Sequence, residues 1–134
     1  MELKIAHLAF TVSDMDKALD FYCNGLGCKH AFSLTNKETG EKWIEYLRVG
    51  EGQFIELFYP GKDFVPGDKS YLHLCIEVPD CEGFVKELEG RGVKIVTYPR
   101  KGRDHNTQAW IADPDGNRIE LMQISPDSPQ KANW

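Results

Sequence analysis

Apolar and polar positions alternate with period 2 over residues 4–12, which predicts a strand with two distinct faces. Leu8, Phe10 and Val12 share one face, and Ile5, His7, Ala9 and Thr11 share the other. The period then changes. Met15, Ala18, Leu19, Tyr22, Cys23 and Leu26 recur at i, i+3, i+4 spacing, the apolar stripe of a helix. Ser13 or Asp14 can cap that helix by accepting from its free amides, and Gly25 and Gly27 supply its stop. Further strands are predicted at 28–34, 42–49 and 53–59, parted by turn signals at 36–40 and 50–52.

The same plan then returns. Displaced by 66 residues, His7 falls on His73, Phe10 on Ile76, Val12 on Val78 and Asp14 on Asp80, while Met15, Ala18, Leu19 and Tyr22 fall on Cys81, Phe84, Val85 and Leu88. Later the displacement is 64, and Ile55-Glu56-Leu57 falls on Ile119-Glu120-Leu121. A loop shorter by two residues accounts for the drift. The second half therefore predicts a strand at 71–78, a helix at 81–91, and strands at 94–98, 107–112 and 118–125. Pro114-Asp115-Gly116-Asn117 is turn chemistry, with Pro presetting φ and Gly or Asn accepting φ > 0. The expected organisation is a first βαβββ module at 1–60, a linker at 61–70, a second βαβββ module at 71–125 and a tail at 126–134 without periodicity, mobile or docked on a partner subunit.

Four ionisable residues interrupt these apolar strands: His7, Glu56, His73 and Glu120. Each lies on the face opposite its strand's helix-packing stripe. Glu56 stands between Phe54 and Phe58, and Glu120 between Arg118 and Met122. Carboxylates among apolar neighbours are costly unless paired or bound to metal. Two imidazoles and two carboxylates suit a first-row divalent ion with positions left for water or substrate. A single strand histidine or glutamate carries little weight; their recurrence at matched positions of both halves carries much more.

Composition narrows the choice without deciding it. Of 134 residues 28% are charged and 41% hydrophobic, as in an ordinary globular domain that needs no disulfide staples. A net charge of -5 argues against general nucleic-acid binding, with Arg100, Lys101 and Arg103 as a local basic exception. Neither a signal-like start nor an apolar run long enough to span a bilayer is present, which reads as cytoplasmic with no membrane partner. Cys23, Cys28, Cys75 and Cys81 form no C-x-x-C pair. Cys75 follows His73 on its face and is either near a metal or simply a small apolar residue. His30 reads as exposed, and His105, in the loop at 100–106, could meet substrate or only water.

The paired βαβββ modules, the Phe10-Thr11-Val12-Ser13-Asp14 entry to the first helix and the run Asp113-Pro114-Asp115-Gly116-Asn117-Arg118-Ile119-Glu120-Leu121 resemble the vicinal oxygen chelate superfamily, and within it the glyoxalase I (lactoylglutathione lyase) group. The resemblance spans residues 3–124. It implies an α+β fold whose two modules form a cupped eight-stranded mixed sheet around one metal site. His7, Glu56, His73 and Glu120 fall on the family's ligand positions, a set commonly served by nickel or cobalt, with zinc or manganese possible. The implied chemistry is a metal-dependent lyase or isomerase reaction on an α-hydroxycarbonyl or hemithioacetal-like substrate. A proton moves through an enediolate, with Glu120 the principal base and Glu56 its partner. Glutathione-using members carry an arginine and an asparagine where this chain has Thr11 and Pro60, so glutathione itself is not the expected substrate. Lys101 resembles a loop lysine that meets a substrate carboxylate, and Arg103, His105, Thr11 and Trp110 complete the expected substrate contacts. Members of this length form homodimers that share the metal between subunits, although the sequence equally permits a site within one chain. The competing expectations are an iron-dependent dioxygenase, for which a fourth ligand is unusual, and a protein that sequesters a small molecule.

Overall fold

The computed structural model describes residues 5–67 and 71–133. The expected strand start at Lys4, the linker's end at 68–70 and Trp134 of the tail lie outside the described residues. The chain divides into two compact units, Met1–Gly67 and Asp68–Trp134. The fold class is α+β, with the eight strands hydrogen-bonded as two four-stranded mixed sheets.

In the first unit the order along the chain is β1 (His7–Thr11), α1 (Met15–Leu19), a π-helical segment (Asp20–Gly25), β2 (Lys29–Thr35), β3 (Lys42–Gly50) and β4 (Gln53–Phe58). Its sheet runs β1-β4-β3-β2, with β1 parallel to β4 and the other pairs antiparallel. Asp14 is the helix cap, accepting from the Lys17 amide. The single helix expected from the apolar stripe changes pitch after Leu19. Leu26 N–H donates to the Phe21 carbonyl five residues back, so the widened turn holds Tyr22 fully buried against Phe10 and Phe21. Val12, Met15, Ala18, Tyr22, Leu26, Leu47, Ile55 and Leu57 form the core between sheet and helix.

The second unit has β5 (Leu74–Glu77), α2 (Cys81–Gly90), β6 (Ile95–Lys101), β7 (Thr107–Ala112), β8 (Arg118–Gln123) and a short α3 (Pro129–Ala132). Its sheet repeats the topology as β5-β8-β7-β6. Asp80 caps α2 by accepting from Gly83, the counterpart of Asp14. The opening strand is shorter than its pattern: pairing begins at Leu74, so His73 stands just before the ladder. The start of the aperiodic tail contacts the second unit. Ser125 N–H donates to Asn106 Oδ1, Asp127 meets His105, and Ser128 caps α3.

Candidate metal centre

Strand alternation places His7, Ala9 and Thr11 on the face of the first sheet away from its helix. Register puts Ala9 opposite Glu56, and Tyr46 opposite Glu56 on its other side. His7 Nε2 then stands 3.4 Å from Glu56 Oε2. The second unit does the same: Glu120 faces Cys75 and Trp110, and His73 Nε2 stands 3.3 Å from Glu120 Oε2. Both carboxylates are buried, with Glu56 7% and Glu120 6% exposed, whereas each imidazole is partly open.

These separations are informative because the protein supplies its own standard. His30 Nε2 and Glu45 Oε2 are 2.7 Å apart, the length of a charge-assisted hydrogen bond. The His7 and His73 pairs are longer than that by more than half an ångström. Two donors each bound at about 2.1 Å to a common ion stand about 3.0–3.4 Å apart when the angle between them is 90–109°. Each pair therefore has the spacing of two neighbouring ligands, and its mixture of imidazole and carboxylate fits a first-row divalent ion. Among the described residues no group of three or more His, Cys, Asp or Glu side chains could hold an ion by itself; each unit brings two.

The surroundings of the two carboxylates differ. The Tyr46 hydroxyl is within hydrogen-bonding reach of Glu56, which raises the phenol above its ordinary range. Phe32 stacks on Tyr46 at 4.2 Å and Phe54 packs against its edge. Beside Glu120 the corresponding ring is Trp110, which meets the His73 imidazole edge to face at 4.9 Å and carries the Arg118 guanidinium 4.3 Å above its centre. Cys75 is not sealed in the core; it sits opposite Glu120 on the sheet. Lost hydration, with the Glu120 charge beside it, pushes its thiol up to about 12. It is a poor nucleophile at neutral pH in this state. All four cysteines are free.

Of the expected substrate contacts, Trp110 is beside His73, and Thr11 shares the face of His7 at the end of β1. Lys101 ends β6 opposite Thr107, while its neighbour Arg100 is paired with Gln108 on the face that holds Glu120. Arg103 is exposed in the tight 102–106 loop, where His105 takes a φ of 69° and points Nδ1 to Asp127 at 3.2 Å. The Asp113 carboxylate collects the amides of Asp115 and Asn117 and the Asn117 side chain, and Gly116 has a φ of 83°. The Asp-Pro-Asp-Gly-Asn run is thus the rigid turn that delivers Arg118 and Glu120 into β8.

Sequence reasoning missed the buried Glu45. It lies on the helix side of the first sheet and accepts from Tyr59 at 2.8 Å, from Ser33 and from His30. Burial raises its carboxyl, but the bonds from Ser33, His30 and Tyr59 outweigh burial, and its net direction is down. The matched position in the second half is Ala109, so the repeat gave no signal for it. A cavity of about 430 Å³ lies on this same side, lined by Asp16, Leu19, Asp20, Cys23, Asn24 and His30, away from His7 and Glu56.

The model of the Glyoxalase/Bleomycin resistance protein/Dioxygenase superfamily matches residues 4–121. A "Probable lactoylglutathione lyase" from Synechocystis is 31% identical over 129 residues, covering 90% of this chain and 95% of that one. Metallothiol transferase FosB from Shouchella clausii is 32% identical over 123 residues, covering 87% and 77%. Among solved structures, TnmS3, an antibiotic binding protein from Streptomyces, superposes with a TM-score of 0.74 at 26% identity, over 92% of this chain and 98% of that one. Among the described residues no helix is long and apolar enough to cross a membrane. With its doubled βαβββ plan and a His–Glu pair in each unit, the chain belongs to the Glyoxalase/Bleomycin resistance protein/Dioxygenase superfamily.

Proposed function

We propose that the protein is a divalent-metal-dependent lyase or isomerase of glyoxalase I type, acting on a small α-hydroxycarbonyl or hemithioacetal-like substrate. His7, Glu56, His73 and Glu120 serve one ion, nickel or cobalt by preference, and a homodimer in which the two pairs come from different subunits is the expected assembly. The observation that carries this reading is the repetition of one His–Glu pair, at ligand spacing, on matched positions of both units. Its likeness to lactoylglutathione lyases supports the reaction class. Thr11 in place of an anion-binding arginine directs the reading away from glutathione.

A bound divalent ion supplies Lewis acidity toward two adjacent substrate oxygens and so acidifies the carbon-bound proton between them. The chain's own residues do the rest. Glu120, with only a high-pKa thiol opposite it on β5, takes that proton and returns it to the neighbouring carbon. Glu56, within reach of the Tyr46 hydroxyl, stays in place as a ligand. Phe54 and Phe58 flank Glu56 along β4 and Trp110 stands opposite Glu120, an apolar lining that would limit water beside the carboxylates.

The test is metal content of the protein purified without added metal, with His7→Ala and Glu120→Gln alongside, followed by a screen of hemithioacetals and hydroxycarbonyl sugars. About one equivalent of a divalent ion, weakened in both variants, and oxygen-independent isomerisation lost in Glu120→Gln are expected. Stoichiometric iron with oxygen consumption would move the protein to the dioxygenase branch. A second reading, small-molecule sequestration, draws on the aromatic cluster of exposed Phe32 and half-buried Tyr46 and Phe54 and on the likeness to an antibiotic binding protein. It prevails if no metal binds on titration.

A further inference from the structure

We propose that Arg118 is an anion receptor beside Glu120, so that the substrate carries a carboxylate a few bonds from the oxygens that undergo reaction. This deepens the proposed function and rests on it for the chelating half of the substrate.

Arg118 and Glu120 are two residues apart on β8, and therefore on one face, separated by one pleat repeat of about 6.7 Å. Register extends the pattern across the sheet. Trp110 is directly opposite Glu120, while Gln108 is opposite Met122 and Arg100 opposite Gln108. Arg118 is thus the cationic position next to Glu120 on its own strand, while Arg100 lies farther off on the same face, one rung on and two strands across on β6.

Arg118 differs from an ordinary surface arginine in how it is held. Its guanidinium lies 4.3 Å over the Trp110 ring, and Trp110 is itself braced against His73. A guanidinium held against an indole face loses less rotamer freedom on binding and keeps its in-plane N–H donors for a planar anion. The backbone beneath it is fixed as well, because Tyr71 donates its hydroxyl to the Arg118 carbonyl at 3.0 Å and the Asp113 turn precedes it. Among the described residues no carboxylate forms an ion pair with Arg118, so its donors are not already spent. The neighbouring Glu120 would leave it an internal partner only when not otherwise engaged, and Glu120 is turned to His73.

The chemistry that fits is a carboxylate on a two- or three-carbon tether from the chelating oxygens. In the first unit the matched place is Phe54, and the cation of that face, Arg48, stands opposite it on β3 rather than on the carboxylate's own strand.

Succinic monohydroxamate and uncharged butyrohydroxamate are matched probes, both bidentate chelators and only one bearing a carboxylate. Titrated calorimetrically into nickel-loaded protein, the wild type should prefer the carboxylate probe by about 10-fold or more, the worth of one charge-assisted contact. Arg118→Ala should collapse that ratio to within about twofold, and Arg118→Lys should retain part of it. Equal affinities in the wild type, or a preference that survives Arg118→Ala, would overturn the proposal and leave the metal reading standing. A metal-free arm separates the two further. Glutarate should shift the Trp110 indole N–H signal, identified by its loss in Trp110→Phe, and should not do so in Arg118→Ala. That shift in a protein that binds no nickel would uphold the anion receptor while the lyase reading falls; no shift together with no probe preference defeats the receptor.

Discussion

The two units share a backbone plan and a His–Glu pair, yet the faces that carry those pairs differ, the first richer in aromatic and aliphatic side chains and the second in polar ones. In the first, the positions around Glu56 are Leu34, Ile44, Tyr46, Phe54 and Phe58, with Arg48 opposite Phe54 as the cation of that face. In the second, the matched positions are Arg100, Gln108, Trp110, Arg118 and Met122. Backbone register sets the common frame for the spacing of each pair, because β1 lies parallel to β4 and β5 parallel to β8 with Ala9 facing Glu56 and Cys75 facing Glu120. Side chains one rung away have no part in that spacing and are free to differ. On the proposed function, this difference would let one metal centre receive an unsymmetrical substrate, its apolar part against the first face and its charged part against the second.

The sharpest way to break this comparison is to remove equivalent ligands one at a time. His7→Ala and His73→Ala should each weaken metal binding on the order of 10²-fold or more, since even outer-sphere partners of a metal are worth 10–100-fold. Competition with a chromophoric chelator measures both. Equal losses show that the pairs serve one ion. A loss confined to one variant shows that only one unit binds metal and that the other His–Glu pair is a relic of the repeat.

A second difference lies on the opposite side of the sheets, where Glu45 of the first unit corresponds to Ala109 of the second. Both are buried, but Glu45 satisfies three donors and Ala109 none. Glu45→Ala should destabilise the protein by about 2–3 kcal/mol, because His30, Ser33 and Tyr59 lose their acceptor together. Chemical denaturation gives the value. The carboxyl is held below its ordinary 4.5 in the folded protein. Its contribution is then fully present above about pH 4.5 and is lost as pH falls through the folded value. The stability gap between wild type and Glu45→Ala should accordingly narrow as pH falls below about 4.5, and a gap that stays constant over the whole acid range in which the protein folds would show that the network does not depend on the charge.

How these features were written in the sequence differs in kind. Period, caps and the doubled plan were legible because they are local: Asp14 and Asp80 cap as their positions require, and both Ile-Glu-Leu runs fall inside the strands expected of them. The His–Glu pairs were legible only because the repeat marks them twice. Glu45 was not legible for the opposite reason. It has no twin, and its donors come from β2 and from Tyr59 just after β4, which only the register brings together around β3. The π-helical turn was hidden because its apolar spacing also suits an ordinary helix; the widening shows only in the Leu26-to-Phe21 bond. Arg118 looked like a flanking strand residue until Trp110 was found beneath it.

The smallest expected effect tests the ring opposite each carboxylate. Tyr46 can donate to Glu56, whereas Trp110, the matched ring, packs on His73 and Arg118 instead. Removing only the hydroxyl, in Tyr46→Phe, should leave the aromatic stack on Phe32 in place and loosen Glu56. Metal affinity should then fall by roughly 10-fold, the low end of what an outer-sphere hydrogen bond contributes, with little change in folding stability because Tyr46 is not in the core. If Glu56 is the ligand that stays fixed, the variant should also lose selectivity for Glu120 as the proton-transferring group. Glu120→Gln would then cost less in the Tyr46→Phe background than in the wild type, a coupling that a double-mutant cycle on turnover reads directly. Strict additivity would mean that the hydroxyl does not hold Glu56, and the two carboxylates would be equivalent in spite of their different neighbours.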